Sequence, residues 1–444
     1  MYSSTRQAIP QDSSSSRLEA SRRTFLKTAS TAVVAGLGFP SLFRGEPDSR
    51  KLKVGLVGCG GRGTGATNNV LNADSNVELF AVADVFEDKL AVGLNVLQKM
   101  HPEKVNVPQA RQFVGLDAYQ KVIESCDLVL LCTPPGFRPQ HLRAAVEAGK
   151  HIFTEKPMAT DAPGVRSVIE SAALAKSKGI GLLAGFNWRH DAARRELMQR
   201  IHAGAIGELS AIYATYYVGL VHPFPADAVR QPAVTDLEWQ LRHWYNFVWL
   251  SGDGYVEQAV HAVDWLMWTM KDVPPLRCVA VGGRQIPNVE GNIFDHFEVN
   301  YEWPNGVRGF LGARQQQGCY GDNSIYLWGT KGRAQARRGK TVAEIIGENN
   351  WKFLKSMQET DVMHQTEQTE FLASIRSGQP ICDGEWMAHS TLAAIMGRMA
   401  AYTGQEITWE MALNSQERLV PEKLDWHMAL PVAPMAMPGQ TKFI

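Results

Sequence analysis

Short apolar runs alternate with helical patterns over the first part of the chain beyond residue 50. The apolar runs predict strands over residues 53–58, 78–83, 128–133, 151–154 and 181–186, and the intervening patterns predict helices over residues 62–73, 87–101, 117–125, 138–149 and 162–178. Strands that alternate with helices are joined by crossovers, so they lie parallel in one sheet. The run at 128–133 is almost entirely apolar, which is typical of a central strand buried on both faces. The pattern therefore predicts a doubly wound, parallel α/β domain.

The second half of the chain has a different pattern. Alternating apolar and polar positions predict strands over residues 209–218, 277–282, 294–303, 307–315 and 323–329. Turn residues such as Pro304-Asn305-Gly306 separate neighbouring strands, which favours antiparallel pairing. An aromatic helical region covers residues 239–270, and two amphipathic helices are predicted at about 365–377 and 384–403. This half is predicted to be an α+β domain with a large, mostly antiparallel open sheet.

A glycine-rich turn joins the first predicted strand to the first predicted helix. Its sequence, Gly58-Cys59-Gly60-Gly61-Arg62-Gly63, matches the pattern G-x-G-x-x-G. Gly58 permits the tight turn, Gly60 lets a pyrophosphate approach the backbone, and Gly63 lets the helix pack closely on the strand. The phosphates would bind the N–H groups at the positive end of the helix. We therefore expect Gly58, Gly60, Gly61, Arg62 and Gly63 to bind a dinucleotide.

An acidic residue follows at the distance that such a site requires. Asp84 ends the next apolar run, 21 residues beyond Gly63, where its carboxylate would accept hydrogen bonds from the ribose hydroxyls. The same carboxylate would repel the 2′-phosphate of NADP, so the expected cofactor is NAD, with NADP less favoured. An ordinary glycine-rich turn is the alternative, but the strand, helix and acid together favour the dinucleotide site.

Two further segments end parallel strands, and ligands in such sheets bind beyond the carboxyl ends of the strands. Thr133-Pro134-Pro135 follows one strand and Glu155-Lys156-Pro157 follows the next. We expect Thr133, Pro134, Glu155 and Lys156 to lie beside the cofactor, with a plain proline turn as the alternative for the first segment.

The composition argues against several classes of function. The 45 Lys and Arg residues are balanced by 45 Asp and Glu residues, so neither a nucleic-acid partner nor a polyanionic substrate is indicated. The six cysteines include no C-x-x-C pair, so no metal or redox site is expected from them. Beyond the N-terminal leader, no uncharged apolar run is long enough to predict a transmembrane helix.

Taken in order, the motifs resemble those of a known family. The G-x-G-x-x-G with Asp84, the T-P-P of 133–135, the E-K-P of 155–157 and a helical E-x-x-x-H-x-x-D at 257–264 together resemble the glucose–fructose oxidoreductase / inositol dehydrogenase / MocA family, over about residues 51–410. The resemblance implies a Rossmann domain and a nicotinamide cofactor. It also implies a sugar, polyol or cyclitol substrate and a homo-oligomer formed through the outer face of the large sheet.

The resulting domain prediction has four regions. Residues 1–48 are expected to be a disordered N-terminus with an export signal, 49–180 the NAD(P)-binding Rossmann domain, 181–426 the substrate-binding and oligomerisation domain, and 427–444 an extended tail.

The resemblance also implies the catalytic residues. Lys156 would anchor and polarise the reacting hydroxyl, and His261 would be the general base. The family usually has Asp four residues before this histidine, where the present chain has Glu257. On a helix, residues four apart are neighbours, so Glu257 could orient His261. A metal site made of Glu257, His261 and Asp264 lacks a further ligand cluster, and no metal is expected.

Aromatic and cationic residues of the second half are candidates for substrate contacts. Aromatic rings pack well against the C–H faces of sugars, which favours Trp244 and Tyr255, with His243 beside them. Arg189 and Arg314 could bind substrate hydroxyls or an acidic group. Core packing and structural ion pairs are the alternatives for these five residues.

Three functions fit these features. The first is an NAD(P)-dependent oxidoreductase acting on a sugar, polyol or cyclitol hydroxyl. The second is a redox-neutral, NAD-dependent glycoside hydrolase that oxidises its substrate, eliminates the aglycone and reduces the product again. The third is a non-catalytic sugar-binding protein, against which the presence of Lys156 and His261 argues.

The N-terminus resembles a twin-arginine export signal. Ser21-Arg22-Arg23-Thr24-Phe25-Leu26-Lys27 precedes a modest apolar stretch at 29–43, which predicts export to the periplasm or cell envelope. A basic N-terminal helix is the alternative. No clean cleavage site follows, so removal of the leader and its retention as an anchor both stay open. Because NAD is scarce outside the cytoplasm, an exported enzyme would keep its cofactor tightly bound and regenerate it in each turnover.

The export signal can be tested by substituting both arginines. Replacing Arg22 and Arg23 together with lysine should trap the precursor in the cytosol, because this route reads both guanidinium groups. Immunoblots of cytosolic and periplasmic fractions, with the unaltered chain alongside, measure the distribution. Normal export of the double variant would contradict the prediction.

Overall fold

The computed structural model of the protein describes residues 50–224, 229–287, 290–337, 343–353 and 360–444. The predicted disordered N-terminus and export signal lie outside the described residues.

Six parallel strands form the first sheet. They are β1 (Leu52–Val57), β2 (Val77–Asp84), β3 (Gln112–Val114), β4 (Leu128–Leu131), β5 (His151–Thr154) and β6 (Leu182–Ala184). Their order is β3-β2-β1-β4-β5-β6, and every pair runs parallel. All four residues of β4 are buried, as its apolar sequence predicts. The doubly wound α/β fold is thus confirmed, and the strand order reverses between β1 and β4, which opens a crevice for a ligand.

Five helices connect these strands. They are α1 (Gly61–Ala73), α2 (Glu87–Met100), α3 (Ala118–Ser125), α4 (Arg138–Glu147) and α5 (Ala162–Ser177). The Asp161 side chain caps α5 by accepting a hydrogen bond from the Gly164 N–H at 2.8 Å.

Nine strands form the second sheet. They are β7 (Leu209–Val218), β8 (Arg277–Gly283), β9 (His296–Glu302), β10 (Arg308–Gln315), β11 (Ser324–Gly329), β12 (Gly332–Arg337), β13 (Glu344–Gly347), β14 (Trp351–Lys352) and β15 (Ile407–Thr408). The order is β14-β13-β12-β11-β7-β10-β9-β8-β15, antiparallel except for the parallel pair β7 and β10. The predicted antiparallel open sheet is confirmed. The strands missed by the sequence patterns, apart from β12, have four residues or fewer and are too short to show a period.

Eight helices accompany the second sheet. They are α6 (Ala192–His202), α7 (Asp236–Arg242), α8 (Val248–Ser251), α9 (Gly254–Glu257), α10 (Val260–Thr269), α11 (Thr360–Arg376), α12 (Glu385–Thr403) and α13 (Trp409–Asn414). None of the helices in the described part of the chain is both long enough and apolar enough to cross a membrane.

The predicted helical region at 239–270 is divided into short helices. Gly252 and Asp253 have φ angles of 79° and 88°, so the chain turns through left-handed conformations between α8 and α9. A second interruption separates α9 from α10, where the His261 N–H donates to the Gln258 carbonyl three residues back, at 3.4 Å. Glu257 and His261 therefore lie on different helices.

The C-terminal segment returns to the first sheet through α11, which packs against α1. The Asn69 side-chain amide donates to the side-chain oxygen of Gln365 at 3.2 Å, and the Arg376 guanidinium donates to the Asp74 carboxylate at 2.7 Å. These contacts hold α11 along the first sheet, with its N-terminal turns beside the ligand crevice.

Candidate active site

A cavity of about 940 Å³ opens at the carboxyl ends of the parallel strands. One part is lined by the glycine-rich turn and Asp84, and another by Lys156 and His261. The predicted cofactor-binding and catalytic residues therefore face one continuous space. Within the described residues, no group of three or more His, Cys, Asp or Glu side chains could hold a metal ion.

The geometry of the glycine-rich turn leaves room for a ligand at its tip. Gly58 has a φ angle of 96°, and a Cβ atom at Gly63 would lie 1.9 Å from the Gly58 carbonyl oxygen. Both positions therefore require glycine. A Cβ at Gly60 or Gly61 would meet nothing within 4 Å, so these two residues border open space at the start of α1. The exposed N–H groups of this first turn fit a pyrophosphate.

Asp84 is part of the same turn. Its carboxylate accepts hydrogen bonds from the backbone N–H groups of Cys59 at 2.7 Å and Phe86 at 3.0 Å. Burial raises the pKa of Asp84, and these N–H groups oppose the rise. Asp84 thus fixes the turn as well as facing the cavity in which a ribose would lie.

The loops that carry the T-P-P and E-K-P motifs are tied together by Arg138. This buried side chain donates to the Thr133 carbonyl at 2.7 Å and to the Pro157 carbonyl at 2.6 Å. Beside them, the Arg62 guanidinium lies 3.0 Å from the buried Glu155 carboxylate. The predicted residues Thr133, Pro134, Glu155 and Lys156 all line the cavity.

Lys156 is held by Glu257. Its ammonium donates to the Glu257 carboxylate at 2.9 Å and to the Glu257 backbone carbonyl at 2.6 Å. The two side chains are 10% and 8% exposed. The expectation that Glu257 orients His261 is therefore corrected, because the break between α9 and α10 directs Glu257 to the lysine instead.

His261 lies against aromatic rings. Its imidazole stacks on Trp188 with ring centres 5.2 Å apart, and its Nδ1 atom has no hydrogen-bond partner among the described residues. Burial, together with the charge of Lys156 and the proximity of His364 and Arg194, lowers the pKa of His261 well below its ordinary value. The imidazole is therefore neutral at neutral pH.

The two arginines proposed as substrate ligands make structural contacts instead. Arg189 pairs with Asp264 at 2.8 Å and also with Asp272, and its positive charge compensates Asp264, whose side chain is 2% exposed. Arg314 donates to the Tyr320 carbonyl and lies over the ring of Tyr217. Neither arginine lines the cavity, so both serve as structural contacts and not as substrate ligands.

The aromatic candidates are divided between the cavity and the core. Trp244 lines the cavity, as predicted. Tyr255 is 1% exposed and its hydroxyl lies 3.0 Å from that of Tyr301, so it is a core residue. His243 stacks on Phe224 with ring centres 4.5 Å apart and does not line the cavity.

Several cavity residues are not evident from the sequence patterns. Asn187 and Trp188 precede Arg189 in a turn that follows β6, and a parallel strand ending there is the signal that could have identified them. Gln258, Asn323 and His364 have no such signal. They line the cavity together with Arg194, Tyr216 and His222.

The structural role of Arg189 can be tested by its effect on stability. Arg189→Leu should lower the free energy of unfolding by about 3–5 kcal/mol, because it leaves the buried Asp264 carboxylate without its main cationic partner. Urea denaturation measures this effect. Arg143→Leu, which removes an exposed pair with Glu147, is the control and should leave stability nearly unchanged. Unaltered stability with an altered KM in Arg189→Leu would restore the substrate role.

Comparisons with known proteins agree with this architecture. The model of the oxidoreductase family with an NAD-binding Rossmann fold, GFO/IDH/MocA, matches residues 52–186, and the model of the GFO/IDH/MocA C-terminal domain matches residues 194–335. Together the two matches span well over half of the chain.

Individual relatives are more distant. The chain is 24% identical over 340 residues to a myo-inositol 2-dehydrogenase of Thermotoga maritima, covering 74% of this chain and 90% of that protein. It is 23% identical over 338 residues to an inositol 2-dehydrogenase of Rhizobium meliloti, again covering 74% and 90%. Among solved structures, it is similar to a levoglucosan dehydrogenase in complex with NADH and levoglucosan, with a TM-score of 0.64, 16% identity and coverage of 80% and 99%. The chain belongs to the GFO/IDH/MocA family of oxidoreductases, with an NAD-binding Rossmann domain followed by the C-terminal domain of that family.

Proposed function

We propose that this protein transfers a hydride between a bound NAD(H) cofactor and a carbon bearing a hydroxyl group in a sugar, polyol or cyclitol. The observation that carries the proposal is that the Lys156 ammonium and the neutral His261 imidazole face the same cavity as the glycine-rich turn. Oxidation of an alcohol requires a cation beside the oxygen and an acceptor for its proton, next to a cofactor that accepts the hydride.

The turn residues fit the cofactor. Gly60 and Gly61 border open space in which a Cβ would intrude on a bound pyrophosphate, and the first N–H groups of α1 are placed to bind it. Asp84 would accept hydrogen bonds from the ribose hydroxyls while it holds the turn. Its negative charge favours NAD over NADP.

Lys156 is suited to hold the reacting oxygen. An ammonium group has three N–H donors. Among the described residues, its two hydrogen bonds both go to Glu257, so one donor remains for a substrate hydroxyl. Glu257 fixes the direction of the ammonium, and Lys156 stabilises the negative charge that develops on the oxygen.

His261 is suited to accept the hydroxyl proton. Because its pKa is lowered, the unprotonated form is present across the neutral range and persists as the pH falls below 6.5, the ordinary value for histidine. The low pKa also means that the ring does not retain the proton.

Several features support a polyhydroxylated substrate. The rings of Trp188 and Trp244 line the cavity and can pack against C–H faces. The side-chain amides of Asn187, Gln258 and Asn323 also line it and can bind hydroxyls. The relatives named for inositol and levoglucosan are consistent with this class of substrate.

Export, tight cofactor retention and a homo-oligomer are further parts of the proposal. The twin-arginine motif supports export, and an exported enzyme has reason to retain its cofactor. Exposed apolar side chains on the second sheet, including Val279, Val281 and Trp328, support an oligomer formed through that face. Light scattering of the native protein measures the oligomer, and mass spectrometry of the denatured native protein measures the retained cofactor.

The proposed chemistry predicts the effects of two substitutions. With NAD⁺ and a panel of myo-inositol, levoglucosan, free sugars and aryl glycosides, the best alcohol should reduce the cofactor. Lys156→Met should lower kcat about 10²-fold or more, because it removes the cation beside the oxygen. Glu257→Gln should have a smaller effect on kcat, since the lysine keeps its carbonyl contact. Cofactor affinity, measured by fluorescence titration, should change little in both variants.

The same panel distinguishes the alternatives. Lys99→Met, an exposed substitution outside the cavity, is the control and should retain full activity. Release of the aglycone from aryl glycosides without net reduction of the cofactor would favour the redox-neutral glycoside hydrolase. Full turnover by Lys156→Met would contradict the assigned role, and sugar binding without turnover by the unaltered protein would favour the binding protein.

Cofactor preference is tested at Asp84. The unaltered protein should bind NAD more tightly than NADP, and Asp84→Asn should reduce that preference about tenfold or more by removing one negative charge. Asn keeps an acceptor for one of the two backbone N–H groups, so the turn is disturbed less than by Asp84→Ala. Fluorescence titration with NADH and NADPH gives both dissociation constants. Tighter binding of NADPH to the unaltered protein would contradict the prediction.

A further inference from the structure

A second histidine of the cavity carries a buried carboxylate partner. His364 and Glu367 are three residues apart on α11, and the His364 Nδ1 atom lies 2.9 Å from a Glu367 carboxylate oxygen. Glu367 is 0% exposed, whereas His364 lines the cavity together with Lys156 and His261. The arrangement is a histidine that faces the site, backed by a carboxylate that does not.

The two histidines of the cavity therefore differ in what they can do with a proton. The two carboxylates that flank His261 in the sequence are both engaged elsewhere: Asp264 is paired with Arg189, and Glu257 is bound to Lys156. A proton on His261 would therefore lack a paired negative charge. In contrast, Glu367 can accept a hydrogen bond from Nδ1 of His364. A carboxylate on Nδ1 fixes the tautomer, leaves Nε2 as the acceptor and stabilises the protonated ring.

Nearby polar atoms support a role in the reaction. With the hydrogen on Nδ1, Nε2 of His364 accepts a hydrogen bond from the Asn187 side-chain nitrogen at 3.4 Å. A protonated Nε2 would instead donate, which requires the Asn187 amide to turn and present its oxygen. The Asn187 side-chain oxygen and the His261 Nδ1 atom are buried without hydrogen-bond partners among the described residues. Buried polar atoms of this kind are normally satisfied by a ligand or water, so this part of the cavity is built for a polar molecule.

We propose that His364 is a second catalytic residue, which holds the proton released from the substrate hydroxyl, and that Glu367 is its positioning residue. This inference rests on the proposed oxidation of a hydroxyl group. As the hydride leaves the carbon for the cofactor, the O–H bond breaks and the proton ends in an N–H bond at Nε2 of His364, with His261 available as the intermediate carrier. In the reverse reaction the same proton returns to the oxygen.

The surrounding charges are consistent with this role. Burial raises the pKa of Glu367, and the contact with His364 opposes the rise. Among the titratable groups that interact electrostatically with the pair are His261, Glu155, His190 and Cys132. Lys156, Arg194 and Glu257 line the same cavity. Because His261 stays neutral to low pH, it does not supply an ionisation of the active enzyme near pH 6 to 7, and such an ionisation would belong to another group.

The chain offers a matched control for this pair. The His296 Nδ1 atom lies 2.8 Å from the carboxylate of Asp295, whose side chain is 3% exposed. Neither residue of this second pair lines the cavity. His296→Gln therefore removes a contact between a histidine and a buried carboxylate at a place outside the site.

The kinetic test compares His364→Gln, Glu367→Gln and His296→Gln on the best alcohol of the panel, over a range of pH. His364→Gln should lower kcat about 10²-fold with little change in KM, and one ionisation should disappear from the acid side of the kcat profile. Glu367→Gln should lower kcat less and shift that ionisation to lower pH. His296→Gln should keep the profile of the unaltered enzyme. NADH binding by fluorescence should persist in all three variants.

A spectroscopic test does not depend on turnover. In protein labelled with ¹³C at histidine, the His364 signal is assigned by its loss in His364→Gln. Glu367→Gln should change the ¹³C shifts that report the tautomer of His364, because the carboxylate that holds the hydrogen on Nδ1 is removed. An unchanged tautomer, or an unchanged kcat profile in His364→Gln, overturns the inference. If no alcohol of the panel is oxidised, the proposed function fails by itself, and this spectroscopic measurement still decides whether the carboxylate-supported histidine exists.

Discussion

The ion pair between Lys156 and Glu257 is the contact on which the site depends, because it joins the two halves of the chain inside a buried cavity. Lys156 follows β5 of the parallel sheet, and Glu257 ends α9 in the second half. A buried charge without a partner costs several kcal/mol, so each residue requires the other. Packing of the second half against the first therefore delivers an ammonium whose direction is already fixed before substrate arrives.

This constraint also determines the chemistry of the neighbouring residues. Since Glu257 is used to hold the lysine, His261 lies against Trp188 without a carboxylate, and burial keeps its imidazole neutral. The imidazole that contacts a carboxylate is instead that of His364, which lies later in the sequence, on α11. The two imidazoles therefore differ in their surroundings: that of His261 has no carboxylate partner, and that of His364 has one. His364 is brought to the cavity because α11 packs along α1.

How much of the fold and of the site could be predicted from the sequence depends on how far apart in the chain the interacting residues lie. The glycine-rich turn is local: Gly58 and Gly63 are required by contacts within the turn, and their spacing alone identifies them. The parallel strands then place Lys156 at the same sheet edge as the turn, since parallel strands end together. The Rossmann half, and the placement of the predicted cofactor residues at one cavity, were therefore predictable from the sequence.

The sequence patterns could not predict which partner a side chain contacts when the possible partners lie far apart in the chain. Arg189 could bind a substrate or an internal carboxylate, and only the fold places Asp264 and Asp272 beside it. The i, i+4 spacing of Glu257 and His261 suggested a contact, but it assumed a continuous helix. The left-handed residues Gly252 and Asp253 and the second interruption before α10 divide that region, and no apolar periodicity reveals such breaks.

The charged groups around the reacting part of the cavity affect which kind of substrate it can bind. Four carboxylates there contact a cation or an imidazole: Glu155 with Arg62, Glu257 with Lys156, Glu367 with His364, and Asp191 at 3.8 Å from Arg194. A charged substrate would have to compete with these internal partners and would lose its hydration on entering. A neutral, polyhydroxylated molecule meets neither cost, because hydroxyl groups can bind the remaining donors and acceptors without displacing an ion pair. The pairing of these charges is thus consistent with the uncharged sugars, polyols and cyclitols of the proposed function.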